Sequence, residues 1–315
     1  NFENIVGTRA GDDTLTGNSN ANVLIGGGAS DIIYGNGGND ELYGDYATTD
    51  SGGSVYGLRS YDKGTEGNDK LYGGAGNDIL VGNGGDDTLD GGTGSDTITT
   101  GTGSDVIVIR TGDGGSTIAD ADVIKDFTDG TDVIGLATGS GALAYTDLTI
   151  AQGSGSNASH VLVSKTSSSE YIAMIENINV SNVNYYDFVS MATGSQTLTG
   201  TTGDDVLLGA SGVDTITTNT GTDVVLGYGG DDAITINGSG SKTIDGGSGT
   251  DSLTISVSGI SSLTDYTLTK NSDSTSLTDT SNNIINYKNI EGLTINSKAY
   301  TQYDGSLYVL GGNQG

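Results

Sequence analysis

Cysteine, proline and tryptophan are absent from this chain, and only 11 of its 315 residues are lysine or arginine. Without cysteine there is no disulfide framework and no thiolate metal site. The 40 acidic residues bring the formal charge to −29, which argues against a nucleic-acid backbone or an anionic membrane surface as a partner. No apolar run approaches the ~18 residues that would span a bilayer. Catalytic signatures are missing too: there is no HExxH and no GxSxG, and the one histidine, His160, sits in the strand-like stretch SHVLVS. Glycine-rich segments such as GTGSDV are not followed by an amphipathic helix, so they do not read as phosphate cradles. No catalytic residue is assigned, and the chain is expected not to be an enzyme. It begins at Asn1 with neither an initiator methionine nor a charged-then-apolar leader, so it is expected to be a fragment or processed product.

What the chain has is glycine, 55 residues of it, and aspartate at a fixed interval. Asp69, Asp78, Asp87, Asp96 and Asp105 recur every nine residues, each followed two positions later by Leu71, Leu80, Leu89, Ile98 or Ile107. The text between them reads GGAGNDILV, GNGGDDTLD, GGTGSDTIT: a glycine-rich turn, one carboxylate, and a short strand with one inward apolar residue. An earlier block, TRAGDDTLT to GNGGNDELY, has Asp13, Asp31 and Asp40 in the same place, with Asn22 replacing one aspartate and weakening one site. A later block, GTTGDDVLL to GGSGTDSLT, supplies Asp205, Asp214, Asp223, Asp232 and Asp251. One unit of it, INGSGSKTID, has an extra residue and lacks the ladder carboxylate, and a bulge is expected there.

This periodicity predicts an all-β parallel β-roll, or β-solenoid, in two blocks, each followed by a β-rich cap. The expected boundaries are 1–108 for the first roll, with a loop insertion at 44–63, 109–190 for its cap, 191–254 for the second roll and 255–315 for the C-terminal cap. Caps are required because a terminal coil exposes an apolar ladder and unpaired strand edges. The 44–63 loop, with Tyr46, Tyr56, Arg59 and Tyr61, reads as a surface excursion or as a protein contact.

Two nonapeptides make one coil, so residues 18 apart, such as Asp69 and Asp87, stack at one strand spacing, ~4.8 Å. Carboxylates that close repel by about 3 to 4 kcal/mol at an effective dielectric near 20, unless a cation lies between the layers. A hard divalent ion takes six to eight oxygens, which the thirteen ladder aspartates and turn carbonyls such as those of Gly73, Gly76, Gly82, Gly85, Gly91 and Gly94 can supply. Several Ca2+ ions are therefore the expected cofactor, with folding coupled to binding: high charge and low hydrophobicity favour disorder without them. Asp126, Asp129 and Asp132 read equally as a further calcium site or as a polar turn.

The repeats resemble those of the RTX (repeats-in-toxin) family over roughly residues 8–43, 64–108 and 200–254, and DVIKDFTDGTDVIGL at 122–136 looks like the phrase that follows the repeats in secreted RTX metalloproteases and lipases. The resemblance implies export by type I secretion machinery and folding outside the cell. Composition is similar to that of bacterial S-layer proteins, so the leading expectation is a calcium-rigidified structural domain of an S-layer or large adhesin, with self-association into a surface lattice. The alternative is the C-terminal calcium-folding and secretion module of a toxin, protease or lipase. A weaker third reading is ligand binding through outward threonine rows in TITTGTGSD and TITTNTGTD.

Overall fold

The computed structural model describes residues 4–46, 66–139, 141–303 and 306–309. The expected loop at 44–63 lies outside the described residues from position 47 onward; Gly44 and Asp45 end a strand, Glu41–Asp45. The chain divides into two compact units, Asn1–Val189 and Ser190–Gly315.

Each unit is a parallel β-roll. In the first, one sheet stacks Asn4–Val6, Val23–Gly27, Glu41–Asp45, Ile79–Gly84, Thr97–Thr102 and Asp122–Ile124 in parallel. The facing sheet stacks Thr14–Thr16, Ile32–Gly37, Lys70–Ala75, Thr88–Thr93, Val106–Ile109 and Val133–Leu136. Successive nonapeptides alternate between the sheets because each glycine turn reverses the chain after a strand of three to six residues. Side chains alternate across a strand, so the single apolar residue two positions after each aspartate points inward. Leu24, Leu42, Leu80, Ile98 and Ile124 form one column and Ile33, Leu71, Leu89, Ile107 and Ile134 the other, all fully buried. With each such side chain contributing about 1.5 to 3 kcal/mol, this narrow double column is the core.

The parallel layers continue past residue 108, where the sequence alone puts the start of the cap. Asp122–Ile124 and Val133–Leu136 add one layer to each sheet, and Glu170–Ile175 then stacks in parallel on Asp122–Ile124. Only beyond it does the sheet become antiparallel, through Val161–Lys165 and Leu148–Gln152.

The second unit follows the same plan. Thr197–Thr199, Thr215–Thr218, Ala233–Ile236, Ser252–Ile255 and Gly292–Ile295 form one parallel stack. Val206–Ala210, Asp223–Tyr228, Lys242–Asp245 and Ile284–Lys288 form the other, closed by antiparallel Thr275–Asp279 and Tyr266–Lys270. The expected bulge in the irregular repeat does not form: Lys242–Asp245 pairs with Asp223–Tyr228 without a register shift. The extra residue is taken up in the turn before Lys242, where no ladder hydrogen bonds are disturbed. Thr199, Thr217, Thr235, Thr254 and Thr294 stand in register across five strands, a longer row than the repeats alone suggest.

Candidate metal centres along the roll edges

Aspartates at the sixth repeat position line the edges of the rolls, where glycine turns pass from one sheet to the other. Each uses its two carboxylate oxygens differently. Oδ1 accepts the backbone N–H of the corresponding residue one coil earlier. On one edge of the first unit the bonds run from Asp13 to Asp31 (2.8 Å), Asp31 to Asp69 (2.7 Å), Asp69 to Asp87 (2.8 Å), Asp87 to Asp105 (2.8 Å) and Asp105 to Asp132 (3.2 Å). On the other they run from Asn22 to Asp40 (2.7 Å), Asp40 to Asp78 (2.7 Å), Asp78 to Asp96 (2.8 Å) and Asp96 to Asp122 (2.9 Å). The second unit has Asp214 to Asp232 (2.8 Å), Asp232 to Asp251 (2.8 Å) and Asp251 to Glu291 (2.7 Å) on one edge, and Asp205 to Asp223 (3.1 Å) on the other.

In Asp13, Asp205 and Asp214 Oδ2 accepts a backbone N–H as well, from Thr8, Thr201 and Ala210; in most of the others it is the chemically open atom. In Asp31, Asp40, Asp69, Asp78, Asp87, Asp96, Asp105, Asp122, Asp232 and Asp251 it is buried and has no hydrogen-bond partner. A buried anionic oxygen without a partner is costly, so a row of them calls for a cation. These oxygens converge with main-chain carbonyls of the next layer. A Cβ built on Gly73 would stand 2.5 Å from the Gly91 carbonyl oxygen and closer still to Asp78 Oδ2. The same pairing recurs at Gly35 (Asp40 Oδ2 with the Gly73 carbonyl), Gly44 (Asp69 with Gly82), Gly82 (Asp87 with Thr100) and Gly209 (Asp214 with Gly227). At each of these glycines two oxygens from different layers fill the space a side chain would take, while Thr100 and Thr218, both fully buried, hold the same repeat position before Asp105 and Asp223.

Of the turn glycines singled out from the sequence, Gly73, Gly82 and Gly91 thus place their carbonyls beside a ladder carboxylate. Gly76, Gly85 and Gly94 occupy the fourth repeat position with positive φ of 140°, 112° and 139°. There the Gly76 carbonyl packs against Gly94 and the Gly85 carbonyl against Gly103 in the following coil. Among the described residues no three carboxylate or imidazole side chains cluster at one point. A bound cation would therefore draw its oxygens from one or two aspartates and several carbonyls, a mixture that suits Ca2+ better than a metal preferring nitrogen or sulfur.

Electrostatics points the same way. Burial, reinforced by like charges in adjoining layers and opposed by the backbone N–H bond, pushes Asp69 up to about 8 and Asp78 and Asp87 to about 7. Asp31, Asp96 and Asp105 rise to about 6, again chiefly through burial. Asp122, beside Asp96 and Asp113, is raised by burial to about 9. In the second unit burial lifts Asp232 to about 6 and raises Asp251. In the absence of a cation, then, the folded rolls hold their carboxylates in a state that water would not impose.

Several members of these rows are not evident from the nonapeptide. Asp122, Asp132 and Glu291 extend them, and each is followed two positions later by a buried apolar residue: Ile124, Ile134 and Leu293. That two-residue offset is the signal in the sequence; the interval from the previous member, not the offset, is irregular. Asp132 is thus a row member, and its Oδ2 also accepts the Thr128 N–H at 2.8 Å. Asp126 instead receives N–H bonds from Thr100 and Gly101, and Asp129 accepts from Asn182. Asp45, also unpredicted, is buried, accepts the Gly67 N–H at 3.3 Å and is raised by burial to about 6. At the far end of one edge Arg110 pairs with Asp90 and Asp113 beside Asp96. His160 accepts the Asn177 N–H through Nδ1.

Residues 8–42, 63–89, 81–116, 192–225 and 208–235 match the RTX calcium-binding nonapeptide repeat. Calcium-binding RTX repeats are therefore present in both units. No curated protein matches the chain. Among solved structures it is similar to the R2 subunit of the mannuronan C5-epimerase AlgE6 from Azotobacter vinelandii, at 18% identity and a TM-score of 0.24, covering 59% of this chain and 91% of that one. The R3 subunit of the same epimerase gives 21% identity and a TM-score of 0.18, covering 56% and 78%.

Proposed function

We propose that this chain is a calcium-rigidified structural domain of a secreted surface protein, an S-layer or large adhesin, that assembles outside the cell. The observation behind this reading is the row of buried Asp Oδ2 atoms without a hydrogen-bond partner that runs along the first unit, with Asp232 and Asp251 in the second. Such a row makes the rigid fold conditional on cations, so the chain stays loose where free calcium is scarce and stiffens where it reaches the ~0.1 to 1 mM range in which extracellular calcium modules bind. Stiff β-rolls suit a load-bearing surface molecule, and the high negative charge keeps separate chains apart until calcium neutralises the edges.

The segment 122–136 supports a second reading, a calcium-folding secretion module of an RTX toxin, protease or lipase. Its resemblance to the phrase following the repeats in such proteins now sits beside the placement of Asp122 and Asp132 in the ladder rows. Electron microscopy of the calcium-depleted chain, before and after raising calcium to a few millimolar, separates the two. Ordered sheets or filaments support the surface layer. Compact, separate particles overturn self-assembly into a layer and favour an adhesin segment or the secretion module.

A further inference from the structure

The second unit has one coil in which the ladder position has the opposite charge. Lys242, the seventh residue of its ten-residue repeat, holds the ladder position because it pairs in register with Asp223 of the coil before it. The two preceding ladder residues on the same edge of this roll, Asp205 and Asp223, are both carboxylates. Lys242 is nevertheless completely buried, as is Asp223. Its ammonium donates to the Gly221 carbonyl at 2.6 Å and to the Ser239 carbonyl at 3.2 Å, and lies 3.1 Å from Asp223 Oδ2.

These three partners are all oxygens: one ladder carboxylate and the carbonyls of two successive glycine turns. Elsewhere on the edges the open Oδ2 atoms likewise stand beside turn carbonyls, there those of the first repeat position. Asp223 Oδ2 accepts no hydrogen bond of good geometry, exactly as its counterparts do not, but unlike them it has a cation from the chain beside it at ion-pair distance. Two of its three protons go to carbonyl oxygens, and its charge faces the Asp223 carboxylate. A buried lysine is expensive unless its charge is paired, and here Asp223 and the two carbonyls compensate it.

We infer that Lys242 is a resident substitute for a calcium ion: its ammonium fills the cradle between the coils of Asp223 and Lys242, so that this cradle takes no metal and the Asp205–Asp223 edge closes without one. The inference rests on calcium filling the other cradles. It gives the second unit a mixed edge, in which one layer-to-layer junction is neutralised at any calcium concentration while its neighbours wait for the ion. Such a junction would be the first part of the second roll to order as calcium rises.

The test uses the full chain, with calcium counted by equilibrium dialysis and local order followed by hydrogen exchange during a calcium titration. K242D restores a carboxylate at the ladder position and is expected to bind one more calcium ion than the natural chain. K242M keeps the bulk of the side chain without its charge and is expected to move the calcium midpoint for protection of residues 219–245 several-fold higher, leaving residues 69–108 unchanged. A folded K242D chain with no additional ion, or a K242M chain titrating like the natural one, overturns the inference. If K242D does not fold at any calcium concentration, the K242M midpoint decides alone. A natural chain whose first unit shows no calcium-dependent protection would instead overturn the calcium reading itself.

Discussion

The backbone amide of Asp69 donates to Oδ1 of Asp87, 2.8 Å away and one coil further along the roll, while Oδ2 of the same Asp87 has no protein partner. One side chain thus ties two layers together and presents an anion to whatever lies between them. The two roles separate by substitution. D87N keeps an oxygen for the Asp69 amide and loses the charge; D87A loses both. Both are expected to raise the calcium midpoint of folding, with D87A further destabilised by about 1 to 3 kcal/mol, the cost of a buried N–H without an acceptor. Calcium titrations by circular dichroism check this; identical midpoints for the two variants would show that the layer bond contributes nothing.

On the opposite edge Asp78 and Asp96 stand in the same relation. Replacing both with alanine is expected to raise the calcium midpoint and loosen the middle of the first roll, lowering its thermal midpoint. An unchanged midpoint would remove these two residues from the ligand set.

Gly73 tests the cradle from its other wall. A methyl group there meets Asp78 Oδ2 and the Gly91 carbonyl oxygen, so one of them must move out of the position a cation needs. G73A is expected to weaken calcium binding at that edge about tenfold or more, equivalent to about 1.4 kcal/mol per factor of ten. Gly112, also a turn glycine, has nothing within 4 Å of an added Cβ and is the control. G112A strains only its own positive φ, and its calcium affinity is expected to stay within twofold of the natural chain. Isothermal titration of both variants makes the comparison, and equal affinities would place the ions elsewhere.

The insertion between the early and central repeats leaves the ladder uninterrupted: Asp31 bonds to Asp69 and Asp40 to Asp78 across 38 residues, 20 more than the normal 18. Its two ends meet, since Gly67 donates to Asp45. Deleting residues 46–65 would join Asp45 to Glu66 and create GDEGNDKLY, a nonapeptide in perfect frame. The shortened chain is expected to fold at the same or a slightly lower calcium concentration, because each halving of a loop recovers only about 0.6 kcal/mol of closure entropy. On the surface-layer reading it is also expected to assemble poorly. Loss of calcium-dependent folding in circular dichroism would show instead that the excursion belongs to the roll.

Much of this architecture is written in the local pattern. An aspartate two residues before an inward Leu or Ile specifies both the turn and the strand, and wherever nine residues separate the copies the position of each layer follows. The pattern fails where the interval stretches. Asp96 to Asp122 spans 26 residues, Asp105 to Asp132 spans 27 and Asp251 to Glu291 spans 40, yet all are single layers. Nothing in a nonapeptide fixes how long an excursion between layers can be, because a surface loop closes at small entropic cost. The irregular repeat shows the converse: its extra residue reads as a bulge, but a turn accommodates it more cheaply than a strand, which would lose ladder hydrogen bonds. The role of Lys242 was legible only as a missing carboxylate, since its three oxygen partners come together through the stacking of coils.

Acidity provides the remaining test. The ladder carboxyls of the cation-free fold are raised above the ordinary aspartate value near 4, to about 6 at Asp31, Asp96 and Asp105, about 7 at Asp78 and Asp87, about 8 at Asp69 and about 9 at Asp122. A raised folded-state value means that the folded chain binds protons more tightly than the unfolded chain. Its stabilising contribution is therefore fully present below about pH 4 and is lost as pH rises through these values. Calcium-free chain prepared by dialysis is accordingly expected to gain β structure on acidification from pH 9 to pH 5. With calcium the dependence reverses, because each proton that binds Oδ2 removes a ligand: the calcium midpoint is expected to rise as pH falls through the same window. Circular dichroism across a grid of pH and calcium concentration measures both slopes. If they carry the same sign, protons and calcium do not compete for the same oxygens, and the ladder carboxylates are not where the ions bind.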